Sequence, residues 1–295
     1  MKNNEFKIFL FHGVIKKDEN KIRNYTRKHV LEKNFYKFLK DLKKKHVFLS
    51  IDDLCFHVQN KIQLPKNSIS ISFDDGFENN YNVAAPILDD LKIPTTFYFS
   101  TDFIENNSIS WIDKLEFCLE KKKSGEIYLP WDKKKNYFSN VKNKIQLLKT
   151  IRKNVKNNFN INIDNFVSSF FDQMNIKEPI KLYSSIDKKL NWKQVKKLNN
   201  NKLFTVGGHS HNHVSLGSLT KKNLEYEISK SFSLFRNNAN LTLKHYSYPE
   251  GMIFDFNKDI IKKLKKRGVV SCPTAIKGIN NLATDLFKLK RIMVS

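Results

Sequence analysis

Residues 71–76 read Ile-Ser-Phe-Asp74-Asp75-Gly76, an apolar alternating segment that ends in two adjacent carboxylates and a glycine. Far downstream, Val206-Gly207-Gly208-His209-Ser210-His211-Asn212-His213 sets two imidazoles, His209 and His213, four residues apart behind a glycine pair. Together they offer one carboxylate and two histidines as metal ligands, with a second carboxylate beside them. Catalytic zinc-type sites use three protein ligands and leave a position open for water. A closed structural site would want a fourth ligand, usually a thiolate, and no cysteine lies near either segment. Neighbouring side chains on a strand point to opposite faces. Asp74 and Asp75 can therefore share a site only if the strand ends there and the chain turns, which Gly76 permits. One carboxylate would hold the metal and the other would act as base toward the attacking water.

Two other Asp-Asp pairs read differently. Asp52-Asp53 follows Ser50, a helix N-cap, and suits the positive end of a helix. Asp89-Asp90 falls late in a helical pattern as solvated surface. Only Asp74-Asp75 closes an apolar strand, which is where α/β folds carry their sites.

The elements around these residues alternate in type. Lys7–Val14, Val47–Leu49, Ser68–Phe73, Pro94–Ser100, Leu203–Val206, Thr242–Tyr248, Val269–Cys272 and Leu289–Val294 read as strands. Val30–Leu42, a segment broken near Pro86, Thr220–Arg236 and Phe256–Lys266 read as helices. Such alternation predicts an α/β fold with a mostly parallel sheet, open or closed into a barrel. Between about 104 and 189 the pattern changes to helices at Trp111–Leu119 and Val141–Val155 flanked by Lys/Asn-rich loops. This region reads as an insertion on one side of a single domain spanning 1–295, the barrel resuming near Leu190.

The formal net charge is +24, from 53 Lys+Arg against 29 Asp+Glu. Lysine runs recur almost everywhere (Lys43–Lys45, Lys121–Lys123, Lys133–Lys135, Lys262–Lys266) with few arginines and no nucleic-acid motif among them. They read as a Lys/Asn-rich surface with no specific nucleic-acid partner, and peripheral contact with an anionic membrane or glycan is the functional alternative. Cys55, Cys118 and Cys272 are odd in number and form no CxxC pair, which argues against a disulfide framework. No run approaches the ~18 apolar residues of a membrane span, and no signal-peptide pattern opens the sequence. The expectation is a cytoplasmic protein, with the inner membrane face as a peripheral location.

Ser72-Phe73-Asp74-Asp75-Gly76-Phe77 and His209-Ser210-x-x-His213 resemble the first two motifs of the polysaccharide deacetylases, the NodB-homology group of metal-dependent carbohydrate esterases. Tyr81–Leu88 with Pro94–Ser100, Ser247-Tyr248-Pro249-Glu250-Gly251 and Leu289-Lys290-Arg291-Ile292 resemble later segments of the same family. The resemblance implies a distorted (β/α) barrel of the NodB-homology type with a helical insertion. It implies a divalent metal, zinc before cobalt, nickel or manganese, held by Asp75, His209 and His213. Asp74 would be the general base, and the backbone around Tyr248, Pro249 and Glu250 would bind the oxyanion, one such donor being worth roughly 3 kcal/mol. The implied reaction removes an N-acetyl group from an amino-sugar in a polysaccharide or in its lipid- or nucleotide-linked precursor. N-deformylation on the same site and a catalytically silent, metal-retaining glycan-binding relative are the alternatives.

Three positions depart from the family pattern. Ser247 stands where an arginine is usual, Glu250 where a tyrosine is usual, and the late Leu-x-His motif is absent. Arg291 is the candidate to orient Asp74 in place of the missing arginine. His12, in Phe11-His12-Gly13-Val14, resembles the opening of members with permuted motifs and is the candidate general acid. His211 is expected to face solvent. His245 lies within sequence reach of the site without a spacing that requires it. Trp111 and Asp113 fit either a sugar subsite or a helix cap.

Overall fold

The computed structural model of the chain describes residues 4–158 and 161–295. The chain opens with β1 (Glu5–Phe11), β2 (Gly13–Ile15), β3 (His29–Leu31) and α1 (Glu32–Lys43), then β4 (Val47–Phe48) and α2 (Ile51–Asn60). β5 (Ser68–Phe73), α3 (Ala85–Asp90), β6 (Thr95–Phe99) and α4 (Thr101–Asn106) follow. The insertion holds α5 (Trp111–Lys121), a hairpin of β7 (Gly125–Ile127) and β8 (Asn136–Phe138), α6 (Val141–Asn157) and α7 (Ile163–Met174). The chain returns through α8 (Trp192–Asn199), β9 (Phe204–Gly208), α9 (Lys221–Ala239), α10 (Lys258–Lys266), β10 (Asn280–Asn281) and β11 (Ile292–Met293).

β1, β5, β6 and β9 are parallel neighbours in that order. On its far side β1 pairs with the two-residue strands β11, in parallel, and β10, antiparallel, and the rest of the ring is closed by single bridges and loop hydrogen bonds. Gly208 bridges to Tyr246 and His245 to Ser271, Cys272 N donates to Leu286 O, Arg291 N to Ile276 O, and Val294 N to Leu10 O. The result is a distorted barrel, regular on one side and ragged on the other. The expected strands at 242–248 and 269–272 are reduced to these bridges. Pro249 and Pro273 follow them directly, and proline cannot donate to a ladder. The break expected near Pro86 is a π-helical turn at Asn80–Ala84 running straight into α3, with Pro86 in that helix's first turn.

Side-chain alternation sorts the barrel. Phe73 packs outward with Phe11, Phe35 and Phe97 against the helical layer. Ser68, Ser70 and Ser72 lie opposite Phe6, Ile8 and Leu10 of β1 on the other face. At the lower end of that face Phe6, Ile8 and Leu289 cluster with Ile51, Leu54 and Cys55 of α2. At the upper end it carries the polar residues Ser72 and Asp74. The insertion has an apolar cluster of its own, centred on Leu115, Leu148, Ile151, Phe166 and Phe170. Two ion pairs join it to the loop before β3, Arg23–Asp187 and Lys28–Asp113. No helix among the described residues is long and apolar enough to cross a membrane. All three cysteines are free and buried.

Candidate active site

The site gathers at the carboxyl ends of the parallel strands. Asp74 N continues the β1–β5 ladder by donating to Phe11 O at 3.0 Å, which sets Asp74 beside His12. Asp75 then adopts φ +77° and Gly76 φ +99°. The turn thus begins at Asp75 itself, one residue earlier than the glycine suggested. The left-handed Asp75 is what brings both carboxylates to one side. Ser210, His213 and Glu250 also have φ between +53° and +61°. Left-handed non-glycine residues are uncommon and concentrate where a surrounding structure holds them for function.

β9 ends at Gly208, and His209 N donates to Phe99 O at 2.9 Å. The His209 ring donates Nδ1–H to Ser247 O at 2.9 Å, which turns its bare Nε2 toward the carboxylates. His209 Nε2 lies 3.7 Å from Asp75 Oδ1 and 3.8 Å from Asp74 Oδ2, and His213 Nε2 lies 3.1 Å from Asp75 Oδ1. The ligand atoms of Asp75, His209 and His213 all fall within 4.8 Å of one another.

These residues fit a divalent cation. Asp75 Oδ1 is buried and receives no well-formed hydrogen bond among the described residues, and lone-pair atoms converge on it. Burial drives His209 down to about 4, against the pull of Asp74, so its ring is a neutral donor. Burial raises Asp75, but His213 and then His12 and His209 offset it, leaving the carboxyl well below its ordinary range. Burial lowers His213, yet Asp75 more than reverses this and raises it. The pocket therefore favours positive charge between Asp75 and His213.

Arg291 grips Asp74 with two parallel bonds, Nη1 to Oδ1 at 2.8 Å and Nη2 to Oδ2 at 2.7 Å. Its Nη2 also donates to Ser247 Oγ at 2.9 Å and its Nε to Thr274 O at 2.7 Å. Burial pushes Asp74 up, and the Arg291 charge followed by His209 brings it below the ordinary carboxylate value. Asp74 is thus an ionised, oriented acceptor beside the ligand set.

His12 is partly buried, with Nδ1 lacking a hydrogen-bond partner among the described residues and its carbonyl accepting from Asn80 Nδ2 at 2.8 Å. Burial lowers its pKa while Asp75 and Asp74 act against that, which sets the ring in the field of both carboxylates. Tyr248 brings only backbone here. Its hydroxyl donates to Phe287 O at 3.1 Å, and its ring stacks on Phe256 at 4.6 Å, inside the core. Pro249 O accepts from Gly251 N at 2.7 Å, closing a tight turn around Glu250. The Glu250 side chain pairs with Lys156 of α6, so the insertion touches the loop that follows Pro249.

Other candidates lie elsewhere. His211 is buried, not solvent-facing: its Nδ1 meets Thr101 Oγ1 at 2.8 Å, and Glu227 accepts its backbone N–H at 2.9 Å. The loop folds inward there because Glu227 of α9 gathers the N–H groups of both His211 and Asn212. His245 faces the far end of the barrel, bonding Ser271 Oγ and Asp52 of α2. Asp53 completes a capping box with Ser50. Trp111 packs at the edge of the insertion core, and Asp113 is buried against Lys28. A depression of about 500 Å³ between the β7–β8 hairpin and α7 holds no carboxylate, histidine or cysteine.

Residues 61–271 match the family model described as polysaccharide deacetylase. The chain belongs to the polysaccharide deacetylase family. Its class follows, a hydrolase that deacetylates carbohydrate. No curated protein matches it. Among solved structures it is similar to the Streptococcus pyogenes deacetylase PplD in complex with acetate, at TM-score 0.62 and 16% identity, covering 99% of this chain and 93% of that one. IcaB from Ammonifex degensii gives TM-score 0.62 and 13% identity over 99% and 92% of the two chains. A de-N-acetylase from Aggregatibacter actinomycetemcomitans gives 0.58 and 16% over 98% and 94%. At such identities the likeness concerns the fold, and here that fold is the NodB-type (β/α) barrel expected from the motifs.

Sequence reasoning missed two lysines near the site. Lys189 and Lys28 flank the Phe77 ring just after Asp75-Gly76. Among so many lysines nothing in their spacing singles them out.

Proposed function

We propose that this chain is a metal-dependent N-deacylase that removes an acetyl group from an amino-sugar, in a glycan or in its lipid- or nucleotide-linked precursor. The observation that carries the reading is the ionised Asp74, held on both oxygens by Arg291, 3.8 Å from a ligand-competent His209. Asp75, His209 and His213 would hold the ion, zinc by the chemistry of an Asp/His/His set. When bound, a divalent ion lowers the pKa of water from ~16 toward about 7 and polarises the acyl carbonyl.

Asp74 accepts the proton as the water oxygen bonds to the carbonyl carbon. Arg291 fixes the carboxylate in the attack direction and keeps it ionised. The backbone N–H at Glu250 donates to the developing oxyanion. The proton that Asp74 has taken passes on through His12 to the amine as the carbon–nitrogen bond breaks, releasing acetate and the free amino-sugar. The chain acts as a single catalytic domain, with the insertion at about 104–189 bordering the site through Lys156 and Glu250. The +24 charge suits an anionic substrate or an anionic lipid carrier at the inner membrane face.

The test is metal content together with acetate and formate release from a panel of N-acylated sugars, for wild type, Asp74→Asn and His209→Ala. Bound metal with acetate release lost in both variants is the expected result. Formate in place of acetate would make the enzyme a deformylase. Metal retained without turnover of any sugar would favour the glycan-binding relative. A rate untouched by Asp74→Asn would refute the mechanism.

A further inference from the structure

The insertion rejoins the barrel at Lys189, stitched against the catalytic turn. Lys189 bridges to Phe77, Leu190 N donates to Gly76 O at 3.0 Å, and Glu78 N donates to Lys188 O at 2.8 Å. The Lys189 residue is 4% exposed, and among the described residues the one hydrogen bond its ammonium makes is to the Asp187 carbonyl at 2.8 Å. Otherwise it rests on aromatic faces, 4.0 Å from the Phe77 centroid and 5.0 Å from that of Phe103. Phe103 in turn stacks on His213 at 5.4 Å. The ammonium is therefore one aromatic ring removed from a metal-site histidine.

Lys28 lies over the same Phe77 ring at 5.1 Å, paired with Asp113 at 2.5 Å. Asp187 is taken in two bonds by Arg23, and Glu116, buried beside Asp113 and pushed up to about 7, accepts the Asn24 N–H. Of the cations Arg23, Lys28 and Lys189, the first two are paired with Asp187 and Asp113, and Lys189 is the one left without an ion-pair partner among the described residues. Buried charges are ordinarily paired, because an isolated one loses its hydration without return. Burial lowers the Lys189 ammonium to about 8, with Asp113 opposing and Lys28 assisting. It is still cationic at neutral pH and has donors unused.

We propose that the ammonium groups of Lys189 and Lys28 form a subsite for an anionic substituent on the N-acylated sugar, a carboxylate or a phosphate ester. The inference rests on the deacylase reading and names its substrate class, an acidic amino-sugar. An anion docked there would pair with the Lys189 ammonium and take up its free donors, in a setting where charge-assisted bonds are strong.

Binding and turnover test it separately. The zinc-loaded full chain is titrated calorimetrically with N-acetylglucosamine, N-acetylglucosamine 6-phosphate and N-acetylglucosaminuronic acid, and acetate release is followed in parallel. Wild type is expected to bind at least one acidic sugar about tenfold more tightly than the neutral one. The tighter of the two acidic probes identifies the anion as phosphate or carboxylate. Lys189→Met and Lys28→Met should each erode that ratio, and Lys262→Met, on an exposed helix face, should leave it intact. Equal affinities in wild type, or an equal loss of ratio in Lys262→Met, would overturn the subsite. So would a Lys189→Met variant that weakens all three sugars in step, the signature of a structural role. Acidic preference without acetate release would uphold the subsite while refuting the deacylase chemistry.

Discussion

Arg291 and Asp74, 217 positions apart in the sequence, meet through two parallel hydrogen bonds in the upper interior of the barrel. Both residues are almost fully buried. The pairing ties the last strand to the first motif and fixes the plane of the carboxylate. Ser247, standing where the family uses arginine, adds its hydroxyl to the same guanidinium at 2.9 Å. The carboxylate is held from the side by Arg291, and Ser247 helps to fix that guanidinium.

Arg291→Lys and Arg291→Met should separate orientation from charge. Lysine keeps the charge but cannot reproduce the fork, so acetate release should fall about 10- to 100-fold with metal content unchanged. Methionine leaves Asp74 buried and uncompensated and should cost about 3–5 kcal/mol of stability. Thermal unfolding and turnover, measured on both, decide the point. Equal activity in Arg291→Lys and wild type would show that the fork does not matter.

Zinc should stabilise the fold, and a chelator should reverse the effect. An ion that binds only the native state at 100 times its Kd adds about 2.7 kcal/mol. His213→Ala removes one of the three proposed ligands and should abolish most of the response. Calorimetric melts with zinc and with chelator are the measurement. Identical melts for wild type under the two conditions would remove the metal site from the mechanism.

The parts of the site carried by local motifs were legible in the sequence because each one spans a strand end and its turn. Ser68–Phe73 is found as a strand with the expected boundaries, and Ser50 is the expected cap. What escaped depends on distant partners. The Asp75 turn could not be told from that at Gly76 without the backbone angle. The inward turn of His211 depends on Glu227, and Lys189 has no local signature at all. The ragged half of the barrel was over-read as strands, since Thr242–Tyr248 has strand-like composition but only single bridges to pair with. The β7–β8 hairpin and α7 sit in Asn- and Lys-rich surroundings that mask their short apolar periods.

The glycine pair before His209 serves close packing, not unusual backbone angles. A Cβ on Gly208 would lie 2.4 Å from Tyr246 Cε2, and one on Gly207 would lie 2.6 Å from Tyr98 Cδ1 and 2.8 Å from His245 O. Tyr246 Oη accepts the Ser210 N–H at 2.8 Å, so displacing that ring disturbs the loop between the two histidines. Gly208→Ala should therefore cost about 1–3 kcal/mol and weaken zinc binding in the same variant. A variant with native stability and native zinc affinity would show that the contact is slack.

Glu116, buried in the insertion beside Asp113, should make stability fall with rising pH. Burial, then the Asp113 carboxylate, push Glu116 up to about 7, with Lys28 and the Asn24 N–H acting against them. Its ordinary value is 4.5, so the folded protein holds this proton more tightly than the unfolded chain. The sign follows: its contribution is most favourable below about 4.5, declines as pH rises toward about 7, and is level above that. Glu116→Gln removes the titration and keeps an acceptor for the Asn24 N–H. The melting temperature of the variant minus that of wild type should therefore climb between about pH 5 and about pH 8. A difference that stays flat across that window would mean that Glu116 is ionised in the folded protein and that Lys28 and Arg152 compensate it fully.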